Sequence, residues 1–175
     1  MRIIAGSLKG RRLEGPPNGE LEVRPTADRA REALFSILQA WPMGSFVDLF
    51  AGTGAVALEA YSRGYGPVAC VEAKPKPFLL KNLSRGGVTL FSKDAWNLKP
   101  DAFADIAVLF SDPPYELSQA LWAGLSVKIR PWLAPGGVLV WETDARTQLD
   151  ARPGWELKET RRYGAARFHF FEGSE

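Results

Sequence analysis

The sequence is poor in the residues that build disulfides and structural metal sites. Its 175 residues include one cysteine, Cys70, and one histidine, His169. A single cysteine cannot form a disulfide within the chain, and a structural zinc site needs several Cys or His ligands. We therefore expect no intrachain disulfide and no metal site, which is in keeping with a reducing compartment.

Long hydrophobic runs are also absent. No window approaches the ~20 apolar residues that a membrane span requires, and the start, MRIIAGSLKGRRL, lacks the apolar stretch of a signal peptide. Hydrophobic residues still make up 46% of the chain, an ordinary share for a globular protein. The sequence predicts a soluble, cytoplasmic protein without membrane attachment, and we expect it to be a monomer.

The chain has almost no excess charge of one sign, since its net charge is only +2. The distribution is uneven, however, because residues 1–13 carry four cations and no acid, and a second basic cluster lies near the other end. Such clusters are typical either of phosphate contact or of a solvated face. The two clusters consist of Arg2, Lys9, Arg11 and Arg12, and of Arg161, Arg162 and Arg167.

A turn-rich break, GPPNGE at residues 15–20, separates the basic leader from the remainder. The leader is too short for a core of its own. We predict a basic arm or hairpin over residues 1–20 and one globular domain over residues 21–175.

Hydrophobic patterning predicts strands that alternate with helices. The first helix covers RPTADRAREALFSILQAW, with Thr26 as its cap, an apolar stripe on one face, and Arg29, Arg31 and Glu32 at polar positions. Five apolar strands follow, and WELKETRRYGAARFHFFE predicts a terminal hairpin that turns near Tyr163–Gly164. The pattern indicates an α/β fold with a mostly parallel sheet and a C-terminal antiparallel hairpin. The five strands lie in SFVDLF, PVACVEA, GVTLFSKDA, DIAVLFSDPPY and GGVLVWET.

A glycine turn follows the first strand in the pattern Asp48-x-x-x-Gly52-x-Gly54. We expect both glycines to let the backbone approach a ligand that a Cβ would exclude.

Glu72 at the end of the second strand is placed to accept hydrogen bonds from ribose hydroxyls, a feature that nicotinamide enzymes share. Asp94 after the third strand is predicted to lie beside an adenine ring. These three acids favour S-adenosylmethionine (SAM), which carries an ammonium, a sulfonium and hydroxyl donors and lacks phosphate.

The tetrapeptide Asp112-Pro113-Pro114-Tyr115 ends the fourth strand. The exocyclic amine of a nucleic-acid base is a poor nucleophile, and the Asp112 carboxylate and Pro113 carbonyl are two acceptors that can orient it. The prolines make the strand exit rigid, and Tyr115 offers a ring on which the base can stack. We therefore predict methylation of a base amine, with the target base flipped out or unpaired.

Together these motifs resemble one family over nearly the whole chain. MRIIAGSLKGRRL, RPTADRAREALF, FVDLFAGTGAVALEAYSRG and DPPY follow one another as in the RsmD-type bacterial 16S rRNA (guanine-N2)-methyltransferases. The resemblance implies a Rossmann-like methyltransferase fold, SAM as cofactor and N2 methylation of guanine 966. It also implies an assembling small ribosomal subunit, with its ribosomal proteins, as the partner.

The resemblance implies roles for individual positions. Asp112, Pro113 and Tyr115 are predicted to be catalytic. Cofactor contacts are expected from Arg24, Thr26, Asp48, Ala51, Gly52, Thr53, Gly54, Glu72, Asp94 and Ala95. Contacts to RNA are expected from Arg2, Lys9, Arg11, Arg12 and Arg29.

Three alternatives stay open at the level of sequence. A DNA adenine-N6 or cytosine-N4 methyltransferase shares the tetrapeptide but normally carries a target-recognition domain, for which 175 residues leave no room. An NAD-dependent dehydrogenase shares the glycine turn but needs a proton-transfer group. A non-catalytic RNA-binding protein has no use for an intact tetrapeptide with three cofactor acids.

Overall fold

The fold is taken from a computed structural model of the chain. It describes residues 1–17 and 25–174, except for the side chains of Pro25 and Thr26. No helix in these residues is long and apolar enough to cross a membrane.

A seven-stranded sheet forms the centre of the described chain, in the order β3-β2-β1-β4-β5-β7-β6. Strands β1 to β5 run parallel, and β7 and β6 add an antiparallel edge. The predicted mostly parallel sheet with a terminal hairpin is confirmed. The strands are β1 Phe46–Asp48, β2 Val68–Val71, β3 Val88–Phe91, β4 Ile106–Ser111, β5 Leu133–Asp144, β6 Trp155–Tyr163 and β7 Ala166–Gly173.

The described residues contain four α-helices, one before β1 and three between later strands, together with short 3-10 turns. Helix α1 begins at Pro25. Proline suits the first position of a helix, because a backbone N–H there would have no acceptor within the helix. The prediction of Thr26 as the helix cap is therefore wrong, since that residue lies inside the first turn. The helices are α1 Pro25–Ile37, α2 Ala55–Ser62, α3 Pro77–Leu83 and α4 Ser118–Ile129; 3-10 turns span Leu38–Ala40, Ala95–Asn97, Tyr115–Leu117 and Arg130–Trp132.

The sheet buries apolar side chains on both of its faces, as a doubly wound fold requires. Alternate residues of each strand point to opposite faces, so Phe110 packs with helices α1 to α3 while Leu109 packs with helix α4. The second face is rich in tryptophan, and the rings of Trp122 and Trp141 lie 5.3 Å apart. Helix α4 is thereby fixed against strands β4 and β5, and the tetrapeptide follows the end of β4.

The N-terminal segment, residues 1–13, is held on the rest of the domain by a buried acid in helix α2. Glu59 is fully buried, and its two carboxylate oxygens accept hydrogen bonds from the backbone N–H groups of Ile4 (2.9 Å) and Ala5 (3.0 Å). Its charge is balanced by Arg63 Nε at 2.8 Å and Arg31 Nε at 3.4 Å. The segment is therefore docked backbone-first onto helix α2.

Arg31 does not occupy a polar surface position, contrary to the prediction. Its side chain is 5% exposed, and one guanidinium nitrogen donates to the carbonyl of Arg2 (2.5 Å) and to Asp28 (3.1 Å). The helical pattern assigned it to the solvent face, because periodicity alone does not reveal a buried partner such as Glu59.

Candidate active site

The order of the strands brings three carboxyl groups to one place. The chain leaves β1 toward β2 on one side and later returns to β4 on the other, and ligands bind at such a switch point outside the carboxyl ends of the strands. Asp48 pairs with Phe110 across β1 and β4, and Ser111 pairs with Trp141 across β4 and β5. Asp112, the first residue after β4, therefore lies beside Glu142, which is still within β5.

Two cavities meet at these strand ends. One, of about 350 Å³, is lined by Asp48, Asp112, Tyr115 and Glu142. The other, of about 590 Å³, is lined by Glu72, Asp94, Ala95 and Pro113 together with apolar side chains. Both are within the size range of small-molecule sites. Since Phe50, Gly52, Asp112 and Tyr115 line both cavities, one ligand can extend through the two.

The glycine turn lies between the cavities, and its two glycines have different roles. Gly52 has a φ of +53°, and a Cβ there would meet nothing within 4 Å, so its backbone faces open cavity. Gly54 also has a positive φ, of +78°, but a Cβ there would lie 2.8 Å from Leu79. The expectation that Gly54 makes room for a ligand is wrong, because it makes room for helix α3.

The two other turn residues in the predicted set, Ala51 and Thr53, are buried and line the smaller cavity. The N–H of Ala51 donates to Val71 (3.0 Å), and the carbonyl of Thr53 accepts from the buried Asn82 side chain (2.9 Å). The turn is thus held by its own neighbours in the absence of a ligand.

Glu72 and Asp94 lie on the larger cavity, and each already accepts hydrogen bonds from backbone N–H groups. The Glu72 oxygens accept from Gly52 (3.0 Å) and Lys74 (3.2 Å), and Asp94 accepts from Trp96 (2.8 Å). These bonds fix the two carboxylates. Each oxygen has a second lone pair, so a ribose or an adenine amine can still be accommodated.

Asp48 is a buried acid that forms no ion pair with any cation of residues 1–17 and 25–174. It is 1% exposed, and its contact is the N–H of Phe50 at 3.3 Å. Burial raises its pKa to about 7, and the nearby Asp112 and Glu72 add to that rise, while backbone hydrogen bonds oppose it. A cationic ligand group would restore the charge balance. The acids and apolar walls of the joined cavities thus suit the ammonium, hydroxyl and adenine groups of SAM.

The tetrapeptide forms the wall between the two cavities. Pro113 is buried, whereas Asp112 and Tyr115 reach the mouth, where Tyr115 is 42% exposed. The surrounding protein raises the pKa of Asp112 to about 6 by burial. Burial, followed by the charges of Glu142 and Asp112, also raises the pKa of Tyr115. A neutral phenol and a carboxyl that is ionised above pH 6 therefore face the smaller cavity.

Sequence reasoning missed Glu142. Its Oε1 accepts a hydrogen bond from the Tyr115 hydroxyl at 3.4 Å, and burial together with Asp112 raises its pKa well above the ordinary value. An acid at the end of the predicted fifth strand was the available signal. The hairpin residues Tyr163 and Phe168, for which the sequence offered no role, also line this cavity.

Arg24 and the side chain of Thr26 lie outside the described residues, so their predicted cofactor contacts have no structural account. Ala27 and Asp28, which follow them on helix α1, line the smaller cavity.

The predicted RNA-binding cations divide into two groups. Arg2, Lys9, Arg12 and Arg29 are exposed, and within residues 1–17 and 25–174 none of them forms an ion pair with a carboxylate. Arg11 differs, because it donates to the carbonyl of Asn82 at 2.8 Å. It ties the segment to helix α3, a structural role that the sequence did not indicate, and its contact to phosphate stays a prediction.

Comparison with known proteins identifies a methyltransferase family, in agreement with a site that suits SAM. A family model described as conserved hypothetical protein 95 matches residues 1–172. The chain belongs to this family. The predicted membership of the RsmD-type methyltransferases is thereby confirmed, as are the SAM-dependent class and the Rossmann-like fold.

Individual relatives match over most of their length. Ribosomal RNA small subunit methyltransferase D of Escherichia coli (strain K12) is 28% identical and covers 98% of this chain and 89% of its own. The putative rRNA methyltransferase YlbH of Bacillus subtilis (strain 168) is 31% identical, with coverages of 93% and 92%. The solved structure of a putative methyltransferase, yhhF from Escherichia coli, superposes with a TM-score of 0.79 at 27% identity and covers 99% of this chain and 97% of its own.

Proposed function

We propose that the protein methylates the N2 amine of a guanine in 16S rRNA, with SAM as methyl donor. Asp112-Pro113-Pro114-Tyr115 at the junction of the two cavities carries this proposal, because it faces the cofactor acids on one side and an open mouth on the other. The names of the relatives, small-subunit rRNA methyltransferase and putative rRNA methyltransferase, support RNA as the substrate.

The donor would lie across the glycine turn. Its adenosine suits the larger cavity, with Glu72 at the ribose and Asp94 with Ala95 at the adenine. Its ammonium suits Asp48 in the smaller one. When bound there, the donor supplies an electrophilic methyl group near Gly52, the residue whose backbone faces both cavities.

The protein's part in the reaction is to hold the amine. The Asp112 carboxylate and Pro113 carbonyl accept its two N–H bonds, so that the nitrogen lone pair points at the methyl group. Tyr115 stacks on the base, a contact worth ~1–3 kcal/mol in related base–aromatic pairs. After transfer the amine loses a proton to the Asp112 carboxylate, which passes it to solvent. Catalysis is thus mostly positioning.

The substrate must present an unpaired guanine, because the cavity cannot admit a base that is stacked in a duplex. We propose guanine 966 in the assembling small subunit of the cytoplasm as that target. The exposed cations Arg2, Lys9 and Arg12 would contact the neighbouring phosphates. Met1 lines the cavity, so the basic segment starts at the wall of the site.

Two alternatives predict different products or ligands. A DNA amino-methyltransferase would use the same acceptors on adenine or cytosine. A dehydrogenase is disfavoured, because His169 is 3% exposed on β7 and contacts Thr143 at 3.0 Å, and it is absent from the lining of both cavities.

Nucleoside analysis after transfer of a tritiated methyl group tests the proposal. The substrates are 30S particles and naked 16S rRNA from cells that lack the endogenous enzyme, and duplex DNA. We expect N2-methylguanosine from small-subunit RNA, and the comparison of particle with naked RNA identifies the assembly stage. N6-methyladenine or N4-methylcytosine in DNA would overturn the choice of base, and binding of NAD without SAM would overturn the chemistry.

A further inference from the structure

Asp112 directly follows strand β4, and Glu142 lies near the carboxyl end of the neighbouring parallel strand β5. Because Ser111 is in register with Trp141, the two acids that follow lie side by side on backbones about 4.8 Å apart. Both line the 350 Å³ cavity, as does Tyr115, on which the target base is proposed to stack. Asp112 has the base amine as its proposed ligand partner, whereas Glu142 has no ligand group assigned to it.

The surroundings fix one oxygen of Glu142 and leave the other available. Tyr115 donates its hydroxyl to Oε1 at 3.4 Å, and Phe168 pairs with Glu142 from the adjacent strand β7. In the part of the chain that the structure describes, Oε2 has no hydrogen-bond partner. A side chain that the Tyr115 hydroxyl holds by one oxygen, with the other oxygen left over as an acceptor, is suited to contact a ligand in the cavity.

The edge of guanine supplies two hydrogen-bond donors, which this pair of acceptors lacks. In guanine the ring N1–H lies next to the exocyclic N2 amine, so two donors face the same way. In adenine and cytosine the ring nitrogen next to the amine is an acceptor instead. An ionised carboxylate only accepts hydrogen bonds, so a second carboxylate beside Asp112 suits guanine and opposes the other two bases.

We propose that Glu142 selects guanine by accepting its N1–H while Asp112 accepts from its N2 amine. The inference rests on the proposed function and adds the residue that chooses the base. A site built around a hydrogen bond rejects an analogue that lacks the donor, because the buried acceptor is then left unpaired.

The charges around Glu142 agree with this role. Asp112 and the Tyr115 hydroxyl adjoin it, and Asp48, Asp28 and the Met1 terminus line the same cavity. Among the described side chains of this lining, the cation is Arg31, which is engaged with Asp28 and Glu59. Neighbouring acids that no such cation pairs tend to retain a proton. Guanine binding would supply two donors and release that proton to solvent, so the KM for RNA should rise as the pH falls.

A substituted substrate tests the proposal without any change to the protein. 2-Aminopurine keeps the exocyclic amine of guanine, but its N1 is an acceptor. We propose to place it at the target position of ligated 16S rRNA, reconstituted into particles, and to measure kcat/KM against guanine RNA. The wild-type enzyme should prefer guanine by at least ~100-fold. A preference below about threefold would overturn the role of Glu142.

The variant Glu142→Gln tests the same contact from the side of the protein. Its amide can donate to the N1 acceptor of 2-aminopurine, so the preference for guanine should fall at least ~10-fold. A purely structural role for Glu142 would lower both rates together and leave their ratio unchanged, and this outcome would overturn the proposal. Glu116→Gln is the matched control, since Glu116 is exposed and lines neither cavity.

The result separates this inference from the proposed function. If the wild-type enzyme methylates guanine but does not discriminate against 2-aminopurine, only the role of Glu142 fails. If label enters adenine or cytosine instead, both fail, because neither base has the ring N–H that Glu142 is proposed to read.

Discussion

Glu59 and Asp48 are both buried acids, 0% and 1% exposed, yet the chain surrounds them differently. Glu59 has two backbone N–H donors and two arginines within 3.4 Å. Asp48 has one backbone donor at 3.3 Å and three further acids on the same cavity, Asp28, Asp112 and Glu142, of which Asp28 is paired with Arg31. A buried charge is costly unless it is paired. Glu59 is paired by the chain itself, and we infer that Asp48 and its neighbours are paired by ligands.

The largest expected effect comes from breaking the paired acid. Glu59→Ala should lower the free energy of unfolding by ~3–5 kcal/mol, because Arg31 stays buried with part of its partner charge removed. The backbone donors of Ile4 and Ala5 also lose their acceptors, so the N-terminal segment should become sensitive to protease. Chemical denaturation and limited proteolysis measure both effects.

The exposed acid Glu32 on helix α1 provides the control for that variant. Glu32→Ala should stay within ~0.5 kcal/mol of the wild-type protein. If Glu59→Ala proved equally mild, the buried network would not be what holds the segment.

The opposite result is expected for an acid of the cavity. Asp112→Asn should lower kcat for methyl transfer by ~10²–10³-fold, comparable to the loss of one group that stabilises a transition state. Its stability should be unchanged or higher, because an acid whose pKa is raised by burial has been replaced by a neutral group. The expected loss of kcat and the expected stability are tested by methyl transfer and thermal unfolding, measured on the same preparation. Full activity in Asp112→Asn would remove Asp112 from the mechanism.

The contrast between the two acids also shows what the sequence could reveal. Asp48, Gly52 and Asp112 were predicted because each lies in a short strand–turn motif whose geometry is local. Glu142 and Glu59 were missed, because their roles depend on strand register and on a segment more than fifty residues away in the chain.

Errors and omissions at individual positions have the same physical origin. Arg31 and Arg11 have the composition and spacing of solvent-facing cations, yet each is bound by a partner distant in sequence. Gly54 was read as a ligand contact, although its neighbour is Leu79 of helix α3. The sequence indicated where backbone freedom is needed, but only the packing of the helices showed which group makes use of it.

The raised pKa of Asp48 predicts how the binding of SAM depends on pH. A cation binds the ionised form, so the Kd for SAM should rise as the pH falls through about 7, by up to ~10-fold per pH unit. Binding should release a proton, which titration calorimetry in buffers of different ionisation enthalpy detects. A Kd that is constant between pH 5.5 and 8 would contradict this role of Asp48.

The same group has the opposite effect on stability without a ligand. Because the folded protein holds the Asp48 proton more tightly than the unfolded chain does, this contribution favours folding at low pH and is lost as the pH rises toward about 7. Asp48→Asn should remove that part of the pH dependence and raise the melting temperature at pH 8. The difference between wild-type and variant curves isolates Asp48 from other titrating groups such as His169.

The smallest effect is expected at the basic segment, where paired and unpaired cations lie side by side. Arg12 is exposed and faces Arg2 across an isolated β-bridge, an arrangement of like charges that an anion would relieve. Arg12→Gln should weaken RNA binding a few-fold and lower the slope of log K against log salt by about 1, without loss of stability.

Arg11→Gln should instead lower the stability of the protein, because the bond from Arg11 to Asn82 fixes the N-terminal segment on helix α3. If both variants changed the salt slope equally, Arg11 would count as a phosphate ligand after all, and the division between structural and ligand-binding charge would fail in this segment.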